Sequence, residues 1–302
     1  MFTDYQEILL TLKGIGVIPK DLTYIPRGVM TDKYLFRYND RRYIVRCFQS
    51  YRQNQPEIEY KYLSLFQDRN IKAPIPYKFS NSAPIPFIIY EMLDGEPLAD
   101  CYNKLDSNTQ ISLCKEIVSN YQKISQIRNN GFGRIQAFDK FSNNSWTEFI
   151  MQVIENAETM AEKQGDIRMK HCCKRMRKYA LNIPESSPNL IWSDFSSDNI
   201  IVDEYGKLSG FIDFEGLLSG DPALGIGYMY AHETNLNLIS QLMKSISISK
   251  NSDNIAFYSL IRWCRLMPYQ HLPLLNGEER EPLREFLPNA YRLITTFEEF
   301  KA

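Results

Sequence analysis

Leu190-Ile191-Trp192-Ser193-Asp194-Phe195-Ser196-Ser197-Asp198-Asn199 runs straight into two short apolar segments, Ile200-Ile201-Val202-Asp203 and Leu208-Ser209-Gly210-Phe211-Ile212. The residues between them, Glu204-Tyr205-Gly206-Lys207, are turn text, with Gly206 free to take a positive φ. A hairpin closed about Tyr205 and Gly206 sets Asn199 almost opposite Asp213 at its open end. Asp194, five residues before Asn199, falls on the loop leading in. Two oxygen-bearing side chains, Asn199 and Asp213, are thereby predicted to converge where the strands emerge.

Such oxygens suit a hard cation. Magnesium takes one or two protein oxygens and fills its remaining positions with phosphate and water. Phosphoryl transfer calls for the same parts: a carboxylate aimed at the attacking hydroxyl, and oxygen ligands for the ion that clamps the phosphates. A lone Asp in a loop is more often a turn or cap residue. Asp194-x-x-x-x-Asn199 followed by a hairpin and Ile212-Asp213-Phe214 is a far more specific pattern.

Upstream, Tyr34-Leu35-Phe36-Arg37-Tyr38 and Tyr43-Ile44-Val45-Arg46-Cys47-Phe48 flank the polar turn Asn39-Asp40-Arg41, a hairpin signal. Thr3 with Gln6, and Ser107 with Gln110, have the spacing of capping boxes at two helix starts. Glu59, Tyr62, Leu63 and Phe66 follow a helical period, and Phe87-Ile88-Ile89-Tyr90 reads as a buried strand. Beyond about residue 96 the text is mainly helical, interrupted by Pro268, Pro273, Pro282 and Pro288.

Bulk properties exclude some classes of function. With 35 basic against 36 acidic residues, the net charge of -1 gives no general pull toward nucleic acid or membrane. No apolar run approaches the roughly 20 residues of a membrane span, and Asp4 and Glu7 precede any apolar stretch, so a cytoplasmic location is expected. Six scattered cysteines, with only Cys172 and Cys173 adjacent, form neither a metal spacing nor a disulfide framework. His171, His232 and His271 likewise lack ligand spacing. The basic run Lys170 to Lys178 reads as a solvated helix face.

The segment from Ile191 to Asp221 resembles the catalytic core of the aminoglycoside phosphotransferase and choline kinase family, a branch of the protein-kinase-like fold. The family's usual form is His-Gly-Asp-x-x-x-x-Asn, then Ile-Asp-Phe/Trp-Glu, then Gly-Asp-Pro. Here stand Asp194 and Asn199, then Ile212-Asp213-Phe214-Glu215, then Gly220-Asp221-Pro222. The resemblance implies an α+β, bilobal fold with a small antiparallel-sheet N-lobe (1–95) and a larger, mainly helical C-lobe (96–302). It implies Asp194 as catalytic base, and Asn199 and Asp213 as magnesium ligands. Asp221 is expected to be structural. Arg46 matches the strand residue that contacts nucleotide phosphates, Glu59 its helix partner, and Glu91 and Leu93 the hinge whose backbone receives a purine. Only Gly28 represents the phosphate loop.

Three departures stand out: Trp192-Ser193 replaces His-Gly, Arg46 replaces Lys, and a Gly-x-Gly-x-x-Gly loop is absent. The implied activity is transfer of the γ-phosphate of ATP or GTP, with magnesium, to a hydroxyl of a small molecule by a monomer. An aminoglycoside-like antibiotic is the first expectation for the acceptor. Choline, a sugar or an amino alcohol are alternatives, as is a pseudokinase that binds without turnover. Carboxylates for a polycation could come from Glu233, Asp253, Glu278, Glu279 and Glu281, and an aromatic cage for choline from Trp263, Tyr258 or Tyr269.

Overall fold

A computed structural model of the 302-residue chain describes residues 3–26, 31–82, 85–246, 252–269 and 283–295. Helix α1 (Tyr5–Gly14) precedes strands β1 (Lys20–Ile25), β2 (Asp32–Tyr38) and β3 (Arg41–Cys47), and helix α2 (Gln55–Asp68) leads to β4 (Pro76–Ser80) and β5 (Phe87–Glu91). The five strands form one antiparallel sheet in the order β1-β2-β3-β5-β4. Asn39 and Asp40 both adopt positive φ, at 48° and 60°. They close β2 onto β3 in a two-residue turn of the kind whose twist matches a hairpin.

The sheet has two different faces. Tyr34, Phe36, Tyr43, Val45, Cys47, Phe87 and Ile89 pack with Ile8 and Leu12 of α1. The alternate residues, among them Lys33, Leu35, Ile44 and Arg46, face the opposite way. The start of α1 differs from the expected capping box. Asp4 is the N-cap, accepting from the Gln6 N–H at 2.7 Å, while Thr3 is buried with its N–H on Asp32 Oδ2 at 2.8 Å.

After β5 come β6 (Glu96–Pro97), α3 (Leu98–Cys101) and α4 (Ser107–Ser125). Again the cap is an aspartate, Asp106, which takes the N–H groups of Asn108 and Thr109, and Ser107 is the first helical residue. In both cases a carboxylate adjacent to the expected hydroxyl captured the helix end, where negative charge is favoured.

The next elements are β7 (Phe132–Ala137), β8 (Lys140–Asn143), α5 (Trp146–Gln164), α6 (Ile167–Ala180) and β9 (Asn189–Trp192). Then follow β10 (Ile200–Val202), β11 (Leu208–Phe211), β12 (Leu217–Gly220) and α7 (Ala223–His232). Helices α8 (Leu236–Ser245), α9 (Ser252–Leu266), α10 (Leu283–Phe286) and α11 (Pro288–Thr295) end the described chain. The helical reading beyond residue 96 therefore concealed a four-stranded sheet, β8-β7-β12-β9, whose strands are too short to show a clear alternating period.

Two strand pairings position the site. β10 and β11 form the expected hairpin, with Ile200 opposite Phe211, and β10 also pairs with β6. β12 returns antiparallel to β9, with Leu217 opposite Trp192. The loop entering the hairpin (193–199) and the loop leaving it (212–216) are thereby held side by side. Helix α7 supports them from beneath at very close range. A Cβ on Gly225 would stand 2.2 Å from Tyr121 Oη and 2.9 Å from the Trp192 carbonyl, and one on Gly227 would stand 2.5 Å from Tyr258 Cβ. The glycines thus admit a neighbouring backbone, and neither belongs to a phosphate loop.

Gly225→Ala tests this packing because two effects oppose each other. Helix propensity alone would stabilise the variant by roughly 1 kcal/mol, whereas overpacking costs about 1–3 kcal/mol. We expect the urea midpoint to fall. A midpoint equal to or above the wild-type value would refute the close approach.

Candidate active site

The loop 193–199 carries Asp194 and Asn199. The Asn199 amide nitrogen donates to the Asp194 carbonyl at 3.0 Å and to Asp194 Oδ2 at 2.9 Å. With its N–H groups so used, Asn199 has its amide oxygen left for a cation. The neighbouring loop carries Asp213, in the left-handed region at φ 64°. That conformation costs a non-glycine residue about 1–2 kcal/mol, so the surroundings must hold it.

They hold it from two sides. The Trp192 indole N–H donates to the Asp213 carbonyl at 3.1 Å, and the Ser193 hydroxyl donates to the Gly216 carbonyl. Trp192 is fully buried and stacked on Phe195 and Phe211, with ring centroids 5.4 and 4.6 Å away. The Trp192-Ser193 pair thus ties the first loop directly to the second. From the sheet side, Arg46 Nη2 reaches Asp213 Oδ1 at 2.8 Å, and Lys33 Nζ lies 3.7 Å from Asp213 Oδ2.

Arg46 is the centre of a buried network. Its Nε donates to Thr31 Oγ1 at 2.9 Å and its Nη1 to Glu59 at 3.1 Å. Nη2 also reaches Glu215 at 2.6 Å, and Arg52 shares that carboxylate at 3.0 Å. Only 2% of the Arg46 and Glu59 side chains is exposed, so this is no surface ion pair. Burial works against the charge on Arg46, but Asp213, Glu59 and Glu215 hold it firmly protonated. Burial likewise opposes ionisation of Asp213, yet Arg46 and Lys33 bring its carboxyl down to about 2. Glu59, the most enclosed carboxylate, is raised by burial to about 7.

Asp194 has a partner that the sequence did not announce. Arg262, 68 residues downstream on α9, places Nη2 3.2 Å from Asp194 Oδ1 and lies over the Tyr228 ring at 4.9 Å. Burial raises the Asp194 carboxyl, and Arg262 opposes that rise. Lys33, Arg52, Glu215 and Arg262 were all missed. For Lys33 a signal existed: counting outward from the Asn39-Asp40 turn sets it opposite Arg46. For Arg262 there was none, since it is one basic residue in a helix.

The structure brings together Arg46, Glu59, Asp194, Asn199 and Asp213. Glu91 and Leu93 lie apart from them, where β5 ends: Glu91 is opposite Tyr43, three residues along β3 from Arg46, which is about 10 Å of strand. The Glu91 carboxylate pairs with Arg41 and its N–H donates to the Ile75 carbonyl, while the Met92 N–H donates to the Arg42 carbonyl. Gly28 lies outside the described residues. Asp221 accepts from the Ala223 N–H at the start of α7 at 3.0 Å and from the Tyr258 hydroxyl at 2.7 Å, tying that helix start to α9.

The aromatic cage is corrected. Tyr258 and Trp263 are buried in the core shared with α5 and α6, and Tyr258 is bonded to Trp146 and Asp221. Neither is available to a quaternary amine. The side chains of Tyr269 and Asp253, and residues 278, 279 and 281, lie outside the described residues. Glu233, by contrast, lines a cavity of about 270 Å³ beside the first loop, together with Ser197, Asp198, Asn103, His232 and Asn235. Glu233 is buried, accepting from the Ser197 hydroxyl at 2.6 Å and the Asn235 N–H at 2.9 Å. Burial keeps His232 neutral, with its pKa down at about 3.

Among the described residues no three His, Cys, Asp or Glu side chains gather as a metal cage. Asn199 and Asp213 instead provide the one or two hard oxygens that magnesium takes when phosphates complete its shell, so the donor set fits that ion. Also among the described residues, no helix is long and apolar enough to cross a membrane, and all six cysteines are free and buried.

A search of curated proteins by sequence found no match. Among solved structures, an apo thermostable mutant of aminoglycoside phosphotransferase APH(4)-Ia is similar with a TM-score of 0.71 at 15% identity, covering 97% of this chain and 99% of that one. A streptomycin-ATP-APH(2")-IIa ternary complex is similar at 0.66 and 16%, covering 95% and 99%. ADP-bound APH(2'')-Ib is similar at 0.66 and 17%, covering 97% and 98%. At these identities the likeness establishes the bilobal, kinase-like α+β fold. The model of the phosphotransferase enzyme family matches residues 21–241, which is most of the chain and includes Arg46, Glu59, Asp194, Asn199 and Asp213 but not Arg262, and the chain belongs to that family, as a small-molecule kinase.

Proposed function

We propose that this enzyme moves the γ-phosphoryl group of a magnesium–nucleotide to a hydroxyl of a cationic, aminoglycoside-like acceptor. The observation that carries the reading is the meeting of Asp194, Asn199 and Asp213 at the mouth of one hairpin, with Asn199 bonded to Asp194, Asp194 to Arg262, and Asp213 to Arg46. In this reading residues 1–95 hold the nucleotide and residues 96–302 hold the catalytic loop and the acceptor. The purine would meet backbone groups of Glu91 and Leu93, placing its phosphates toward Arg46 and Asp213.

Asp194 is the base. Its carboxylate orients the acceptor hydroxyl; as the new O–P bond forms and the bond from phosphorus to the leaving nucleotide oxygen breaks, the proton passes to Asp194. Arg262 favours the ionised form of that carboxylate against the effect of burial and fixes its direction. Bound magnesium, held through Asn199 and Asp213, would supply charge neutralisation on the phosphates. Arg46 and Glu59 keep Asp213 in place for it.

The cavity beside the loop favours a cationic acceptor. Among the described residues the donors to its buried carboxylate, Glu233, are the neutral Ser197 hydroxyl and Asn235 N–H, and Asp198 adds a second carboxylate to the lining. The volume of about 270 Å³ is near the lower limit of roughly 300 Å³ for small-molecule sites, room for one amino-sugar ring. The relatives that bind streptomycin or ADP lend support by likeness. The test is a coupled nucleotide-hydrolysis screen over aminoglycosides, macrolides, choline and sugars, with ATP and with GTP. Turnover confined to neutral sugars would overturn the cationic acceptor.

Asp194→Asn is the informative variant, because it keeps the shape and the acceptor for Asn199. We expect kcat to fall by about 10²–10⁴, with nucleotide affinity nearly unchanged. Retained turnover would remove Asp194 from the mechanism.

A second prediction concerns the unusual loop support. Trp192→Phe keeps an aromatic ring in the stack and deletes the N–H that holds Asp213. The orphaned carbonyl should lower stability by about 1–3 kcal/mol in urea unfolding and reduce kcat with it. An unchanged midpoint and an unchanged kcat would show that the bond supports nothing.

A further inference from the structure

We infer that Lys33 is the side chain that contacts the phosphate chain of the nucleotide donor, with Arg46 acting behind it as a positioning residue. The inference rests on the donor reading above and deepens it. It starts from the register of the first hairpin. Because Asn39 and Asp40 form a two-residue turn, Lys33 on β2 stands directly opposite Arg46 on β3. Tyr34 and Phe36 point into the core under α1, so Lys33 and Leu35 emerge on the other face, beside Arg46 and Ile44. Both cations reach the same carboxylate, Asp213.

Their commitments differ. Arg46 has five N–H donors, and its bonds to Thr31, Glu59, Asp213 and Glu215 occupy four of them. Its side chain is 2% exposed. One N–H is left, on Nη1, but turning this buried guanidinium toward a phosphate would pull it from its carboxylates and leave them uncompensated. Lys33 is less engaged. Its ammonium makes no hydrogen bond among the described residues, and its one ion pair, 3.7 Å to Asp213, is longer than a hydrogen bond. Its side chain is 16% exposed. An ammonium carries three donors on a flexible stem, which lets it follow phosphate oxygens as a point charge. A planar guanidinium already locked to carboxylates lacks that freedom.

The wider charge pattern agrees. Arg46 and Arg52 balance Glu59 and Glu215 within the buried network, and Lys33 with Asp213 makes the outermost pair. The phosphate-facing charge lies one strand toward the sheet edge from the position that the family resemblance implies, a shift of about 4.8 Å.

The test compares nucleoside with nucleotide. Binding of adenosine, ADP and a non-hydrolysable ATP analogue, and of the guanosine series, would be measured by calorimetry for wild type, Lys33→Met, Lys33→Arg and Arg46→Lys. For Lys33→Met we expect at least about ten-fold weaker binding of the triphosphate, the scale of a lost hydrogen bond to a charged group. Nucleoside affinity and ligand-free melting temperature should stay the same, and Lys33→Arg should recover most of the loss. Arg46→Lys should instead lower the ligand-free melting temperature. If Lys33→Met binds triphosphate like wild type, or weakens nucleoside and triphosphate equally, the assignment is overturned. If the wild type binds no nucleotide of either series, the donor reading itself falls and takes this inference with it.

Discussion

Everything at the site depends on one buried guanidinium. Arg46 is bonded at once to Thr31 at the start of the hairpin, Glu59 on α2, and Asp213 and Glu215 on the loop after β11. Arg46 and Glu215 alone stand 169 positions apart in sequence, yet they belong to one hydrogen-bonded group. Burying such charges is expensive, and the attraction repays the cost only when geometry is good and every donor is used. Removing a single partner leaves an uncompensated charge, which typically costs about 3–5 kcal/mol. Orientation of α2 against the sheet, and of the sheet against the catalytic hairpin, is therefore coupled to the position of Asp213.

That coupling gives a reason for Arg where the family resemblance leads one to expect Lys. A lysine can be directed at one or two acceptors, but it cannot present a planar fork to carboxylates arriving from three directions. The same logic applies to Trp192. An indole N–H donating to the Asp213 carbonyl pins the second loop to the first, and its ring adds stacking on Phe195 and Phe211. Two residues that read as departures from the family pattern thus act on the same residue. Asp213 is held in a left-handed conformation by its carboxylate from one side and its carbonyl from the other.

Much of this was legible in the sequence, and the limits have physical causes. The β10–β11 hairpin could be counted because its turn and its period of two are local, so Asn199 and Asp213 were placed together correctly. The β2–β3 hairpin was equally countable, and it contained the Lys33–Arg46 pairing unnoticed. The four-stranded sheet was hidden because β9 and β12 are four residues each and buried apart from Asn189, leaving no alternation to read. Arg262 was illegible for a different reason. Its role arises where α9 packs on α7, and nothing in helical spacing says which distant loop a basic side chain will meet. Both helix caps were misplaced by one residue, since Asp4 and Asp106 compete with a neighbouring hydroxyl for the same amides.

The electrostatic layout also bears on the acceptor. Cations cluster at the donor end, where Lys33, Arg46 and Arg52 surround Asp213 and Glu215. In the proposed reading the acceptor meets the cavity beside the 193–199 loop, where the carboxylates of Glu233 and Asp198 are among the lining groups. Arg262 might be thought to spoil that division, because it brings positive charge to the acceptor side. It does not, since its ion pair with Asp194 and its seat on the Tyr228 ring spend the charge locally. His232 adds none, being held neutral by burial. A polyanionic donor and a polycationic acceptor approaching Asp194 from opposite sides would each meet complementary charge. An anionic acceptor would have to desolvate beside the buried Glu233 side chain, an unfavourable exchange.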